Sequence, residues 1–360
     1  MKQNNSQTPP EKNKKELLLK DDPLDKLCVI LSLEVGPVQV EARRIKTTYS
    51  VISNGKKNSI DLIYRFGEDV FQTNDPDSVN LACQITAQVA LNYGLFCKEI
   101  IFRGHFDKFD QQFISDMAAN TAREIYVKKF LEPNPFLLGD AANLPVIKKK
   151  NYVKAELLFP DSSEAESSQT GHRWETNRLR HAVLSSGGKD SLLSYGILKE
   201  INKETHPIFI NESGRHWHTA LNGFRHFSES EPNTSRVWTN ADRVFAWMLR
   251  HFPFIRTDFS SLRSDEYPIR LWTVAVFLFG ALPLMKKRAI GRLNLGDEFD
   301  TTDRLIHKGI THYNGLYDQS LYFDNAMTRY FIRKGWNITQ FSLVRPLSEL
   351  LIEKILIERY

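Results

Sequence analysis

Residues 181–199 read HAVLSSGGKDSLLSYGILK, a strand-like run that passes through two adjacent glycines straight into a helix-forming segment. Ala182 to Ser185 have strand character, and Leu192, Leu193, Tyr195, Ile197 and Leu198 populate a helical stretch, so Ser186 to Ser191 must form a tight strand-to-helix turn. Such a turn suits an anion. Gly187 and Gly188 let the backbone approach without a Cβ, Ser186 and Ser191 add hydroxyl donors, and the free N–H groups of the first helical turn lie at the positive end of the helix dipole. Neither the GxxxxGK[ST] nor the GxGxxG spacing occurs here. A plain Gly-Gly turn with a Ser or Asp helix cap explains the same residues without a ligand.

The turn opens a region in which strand and helix patterns alternate. Strands are expected at 181–185, 206–211, 235–239 and 291–295, with helices at 191–202, 219–228, 240–251 and 268–287. This spacing predicts an α/β fold with a doubly wound parallel sheet, helices on both faces and a ligand at the carboxyl ends of the strands. Upstream the pattern differs. CVILSLEV, VQVEARRI, TYSVIS and IDLIYRF read as strands, broken by Gly36-Pro37 and by a hairpin signal at Asn54-Gly55; helices at 78–93 and 107–130 flank a strand at 98–103. The expected organisation is a disordered tail over 1–27 with a short helix near Lys15 to Leu19, a smaller α+β domain over 28–159, a Ser/Glu-rich linker over 160–177 and the alternating domain over 178–360. The pattern reaches Arg359-Tyr360 unfinished, so a further C-terminal portion is expected.

Composition narrows the function classes. Forty-eight basic against 43 acidic residues give a net charge of +5, too balanced to require a nucleic-acid surface. The longest apolar run, Trp272 to Met285, contains Gly280 and Pro283 and is shorter than the about 20 residues a bilayer span needs; it reads as a buried helix. Cys28, Cys83 and Cys97 show no metal-ligand spacing and fit reduced core residues of a cytoplasmic protein.

Four polar stretches in this region are candidates for ligand contact. Asn211 to His218 could line an adenine and ribose pocket, bind a second substrate through Arg215 and His216, or form a metal pair from His216 and His218; a solvated loop is the simpler alternative. Asp297, Glu298, Asp300 and Asp303 crowd four carboxylates into seven residues, which calls for an offsetting cation, for proton transfer at a substrate, or for exposure as an acidic turn. His312, Tyr317 and Gln319 belong to an aromatic and amide stretch suited to a polar organic substrate. Arg263, before the long helix, could meet phosphate or carboxylate, although a cap by Ser264 or Asp265 with Pro268 in the first turn accounts for that region equally well.

The string Ser186-Gly187-Gly188-Lys189-Asp190-Ser191 resembles the SGGxDS signature of the PP-loop, or N-type ATP pyrophosphatase, superfamily. The resemblance covers the alternating region and implies an adenine nucleotide alpha hydrolase-like domain. ATP and Mg²⁺ would be bound by Ser185 to Ser191 with Asn211, Lys189 would neutralise phosphate charge, and Asp190 would hold the metal together with Asp297. A looser similarity spans more of the chain. The β-rich N-terminal module, the PP-loop domain, Gly296-Asp297-Glu298 and Tyr317-Asp318-Gln319-Ser320 together resemble the ATP-dependent epimerase of peptidoglycan precursors, which inverts the glutamate of UDP-N-acetylmuramoyl-L-alanyl-L-glutamate. Asp297 replaces that family's Asn, and its His-Gln pair is altered to His312-Tyr313 with Gln319 displaced. The resemblance implies adenylation of a carboxylate or carbonyl on a small acidic substrate with release of pyrophosphate, Glu298 serving in catalysis. A tRNA- or small-molecule-modifying ligase or thiolase, and a nucleotide-binding module without turnover, are the alternatives.

Overall fold

The computed structural model describes residues 22–162, 173–211, 217–262 and 267–360, and for Trp217 the backbone alone. The expected tail helix at 15–19, most of the linker, Arg215, His216 and Arg263 lie outside the described residues.

Strands β1 (Ile30–Glu41), β2 (Arg44–Ser53) and β3 (Lys56–Phe66) form an antiparallel meander. Asn54 and Gly55 take φ values of 49° and 70°, the left-handed pair that a two-residue hairpin turn requires. Gly36-Pro37 does not break β1 as expected. The register shifts between Val35 and Val38, so the proline, which has no N–H to donate, occupies a bulge inside one long strand. The run VQVEARRI is divided instead at Ala42-Arg43, where the chain turns into β2. Helix α1 (Pro76–Ala87) starts at an Asp75 cap, β4 (Cys97–Phe102) follows, α2 (Lys108–Ile125) opens on an Asp107–Asp110 capping box, and β5 (Glu156–Leu158) ends this part.

The alternating region contributes β6 (Asn177–Ser185), α3 (Lys189–Glu200), β7 (Glu204–Asn211), α4 (Trp217–Ser230), β8 (Ser235–Thr239), α5 (Ala241–Leu249), α6 (Val274–Lys287) and β9 (Ile290–Asn294). Next come a hairpin of β10 (Arg304–His307) and β11 (Ile310–Tyr313), then α7 (Leu321–Arg333), β12 (Thr339–Phe341) and α8 (Glu349–Arg359). Among the described residues no helix is long and apolar enough to cross a membrane.

The protein is an α/β fold built on one large, mostly parallel ten-stranded sheet in the order β12-β9-β6-β7-β8-β3-β2-β1-β4-β5. The sheet continues from the alternating region into the N-terminal meander. Tyr64, Arg65 and Phe66 of β3 pair antiparallel with Thr239, Trp238 and Val237 of β8. Where β8 ends, the Asn240 side chain extends the ladder, accepting from Ile63 N at 2.8 Å and donating to Asp61 O at 2.8 Å. One contiguous apolar core runs from Leu24 to Ile338 across both halves. Phe209 of β7 packs under α3 and α4 with Leu192, Tyr195 and Phe227, while Gly280 of α6 lies against Tyr64 and Ile210 on the opposite face.

The long apolar helix begins at Val274 rather than near Pro268. The preceding N–H groups have other partners: Asn92 Oδ1 accepts from Leu271 N and Trp272 N, and Asp318 Oδ2 accepts from Thr273 N at 2.8 Å and Ala275 N at 3.1 Å. Asp318, from a distant loop, therefore caps this helix; Ser264 and Asp265, the cap candidates in the sequence, lie outside the described residues.

Asn240→Ala is expected to lower stability by about 2 kcal/mol, because it strands the Ile63 N–H and the Asp61 carbonyl at the joint between the sheet halves. Urea unfolding measures this, and an unchanged midpoint would show that the amide adds nothing to the ladder.

Candidate functional site

Viewed along the sheet, β6 is the reversal point. Chain order proceeds β6-β7-β8 to one side, then returns to place β9 and β12 on the other. The segments after β6 and β9 therefore diverge from neighbouring strands at their carboxyl ends, where open α/β sheets form a crevice. Those segments are 186–191 and 295–303.

After β6 the chain enters the Gly187 turn with φ of 77°, and a Cβ at Gly187 would lie 2.9 Å from the Thr219 carbonyl oxygen of α4. Only glycine suits both the conformation and the approach. Ser185 Oγ accepts from Gly187 N at 3.1 Å and lies 3.0 Å from Ser191 Oγ, which donates to Gly188 O at 2.9 Å. These two serines brace the turn from inside. Among the described residues no side chain caps the start of α3, whose N-cap position is Gly188.

After β9, Gly296 passes against α3, where an added Cβ would come within 2.6 Å of Asp190 Cβ and 2.9 Å of Ser191 N. This contact sets the acidic run beside the turn. Lys189 Nζ lies 3.1 Å from Asp190 Oδ1, 3.6 Å from Glu298 Oε2 and 3.5 Å from Glu349 Oε1 of α8. Burial opposes the charge on Lys189, but Asp190, Glu298 and Glu349 outweigh it and raise its pKa. Burial, only partly offset by Lys189, raises the pKa of Glu298, and Asp190, Glu349 and Asp300 push it further in the same direction. Among the described residues Glu298 Oε2 is buried without a hydrogen-bond partner, as is Oδ1 of Asn211, at the carboxyl end of the adjacent β7.

Asp297, expected to share a metal with Asp190, is engaged by an arginine and has Asp190 close enough to raise its pKa. Its carboxylate is buried 3.4 Å from Arg345 Nη2, and the same nitrogen reaches Asp324 Oδ2 at 2.8 Å. Arg345 Nη1 donates to Thr301 Oγ1 at 2.7 Å and to the Gln319 carbonyl at 2.7 Å. Among the described residues no group of three His, Cys, Asp or Glu side chains is arranged to hold a metal. Gln319 thus meets the acidic run through its backbone. Tyr317 packs in the core against Trp272, Tyr313 and Phe323. His312 is buried in the β10–β11 hairpin opposite Leu305, and burial lowers its pKa. Tyr317 also lines a surface cleft with Phe113, Arg123 and Arg329. Arg345, Asp324 and Glu349 were not singled out from the sequence; β12, which leads to Arg345, has only three residues and gives no signal of its own.

Neither the protein-family models nor the curated proteins contain a match to this chain.

Arg345→Met would leave Asp297 and Asp324 buried without a cation and is expected to cost roughly 3–5 kcal/mol at pH 8. Burial raises both carboxyl pKa values, Asp297 strongly. Folding therefore favours their protonated forms: this contribution is complete below the unfolded carboxylate pKa and is lost as pH rises through the folded values. The cost of Arg345→Met should accordingly shrink toward pH 4, and denaturant unfolding at the two pH values checks the sign.

Proposed function

We propose that the protein is an ATP-dependent adenylating enzyme of the PP-loop type, acting on a small organic acid. The observation that supports it most is the junction of Ser185 to Ser191 with the Gly296 to Glu298 strand end: an uncapped helix start, a glycine turn and a lysine face a carboxylate. The N–H groups at the start of α3, with Lys189, would hold the β- and γ-phosphates. Asp190 is the residue that would hold magnesium, since this ion takes one or two protein carboxylates together with phosphate oxygens; bound there, it would neutralise phosphate charge. Asp297 does not fit that role, because Arg345 already engages it.

In this reading a substrate carboxylate oxygen attacks the α-phosphorus, the bond to the bridging oxygen of the β-phosphate breaks, and pyrophosphate leaves. Replacing the carboxylate charge by an acyl phosphate acidifies the neighbouring C–H. Glu298, whose pKa is raised and whose Oε2 lies 3.6 Å from Lys189 without accepting a hydrogen bond, would be the base that takes that proton. The glutamate of UDP-N-acetylmuramoyl-L-alanyl-L-glutamate is the acid that the sequence resemblance implies.

Purified protein with ATP and magnesium should form AMP and pyrophosphate when the acid is supplied, and Lys189→Ala or Asp190→Asn should abolish release. Full activity in either variant at saturating ATP would remove the turn from the chemistry. Glu298→Gln should cut turnover at least about tenfold with little change in ATP affinity. The acidic limb of kcat against pH should lie above the ordinary glutamate value of 4.5, because the base must be ionised, and should vanish in Glu298→Gln. A limb at the same pH in both proteins would dismiss Glu298 as the base.

A further inference from the structure

The opposite edge of the parallel strands carries a second cleft. It has a volume of about 650 Å³ and is lined by Ser235 at the amino end of β8, Arg288 just before β9, Arg65 of β3, Arg236 and Trp238 of β8, and Phe224 of α4. Residues 186–191 follow the carboxyl end of β6, so this cleft is not part of the site described above.

The arginines here are in different states. Arg288 is committed, with Glu68 at 2.6 Å and the Asn233 carbonyl at 2.6 Å. Arg65 and Arg236 meet no carboxylate among the described residues. Each instead lies over an aromatic ring, Arg65 at 5.3 Å from the centroid of Trp238 and Arg236 at 5.1 Å from that of Phe224. A guanidinium laid on a ring is held in place by its face while its N–H edges remain open to an oxyanion. The strand ladder puts both arginines on one face: Arg65 pairs with Trp238, and Arg236, two residues before Trp238, pairs with Phe209 beneath α4, so the two guanidinium groups and their rings share one side of the sheet.

We propose that this cleft binds a phosphate-bearing small molecule, with Arg65 and Arg236 supplying the charge. Two uncommitted guanidinium groups match a phosphate dianion better than a carboxylate monoanion, and the volume is within the range of small-molecule pockets.

The test is calorimetric titration of the full chain carrying Lys189→Ala, with inorganic pyrophosphate, AMP and L-glutamate as separate probes. Pyrophosphate and AMP are expected to bind. Adding Arg65→Ala or Arg236→Ala should weaken either probe at least about tenfold, the loss expected for one charge-assisted hydrogen bond. Equal affinities would assign recognition to the phosphate alone, whereas tighter AMP would add the rings of Phe224 and Trp238; both sustain the proposal. It is overturned if pyrophosphate does not bind to the Lys189→Ala protein, if neither arginine substitution changes binding, or if glutamate binds as tightly. Both arginines are exposed, so melting curves should confirm that the variants remain folded. These outcomes do not depend on adenylation, and its failure would leave them readable.

Discussion

The pairing of β3 with β8 is the contact on which the rest of the architecture rests. Three residue pairs and one asparagine amide join an antiparallel meander to a parallel sheet. Without that joint the two halves would each expose a strand edge, a row of unpaired N–H and C=O groups that favours association with other chains. With it, Tyr64 of the meander and Ile210 of β7 lie under the same glycine of α6, and the two halves share one apolar core. The short ladder therefore sets the position of α6, and α6 in turn supports β6 and β9 from behind the crevice.

Arg345 organises the front of the molecule in a comparable way. It is the cation among Asp297, Asp324, Thr301 and the Gln319 carbonyl, and it ties the loops after β9 and β12 to the start of α7. A buried arginine between two carboxylates adds little net stability compared with an apolar replacement of the whole group, but removal of one partner is expensive. Its effect is to fix geometry. With Asp297 held inward, the next residue, Glu298, is left beside Lys189.

The alternation of strands and helices after residue 178 was legible because each element there is long and strongly patterned. The Asn54-Gly55 hairpin and the strand-to-helix turn at 186–191 were legible because glycine has few substitutes at positive φ. What escaped sequence reasoning was non-local. Asp318 caps a helix that begins at Val274, and no spacing rule connects the two. The β3–β8 joint pairs residues far apart in the chain. Strand β12 has three residues, too few for alternation to register, and Arg345 behind it went unnoticed for that reason. Tyr317 and His312 belong to a stretch dense in aromatic and amide groups, and density alone does not distinguish a pocket from a packed loop.

Helix α8 grips α3 at both ends. Near its start Glu349 lies beside Lys189; at its finish Arg359 bonds Glu200 at 2.6 Å, and the Tyr360 ring lies flat where Gly196 lacks a side chain. Between them Ile352 packs with Leu193. Helix α3 consequently cannot tilt or slide without breaking contacts at opposite extremities together, so the amide groups at its first turn are held like the jaws of a fixed wrench, their direction set before any anion arrives.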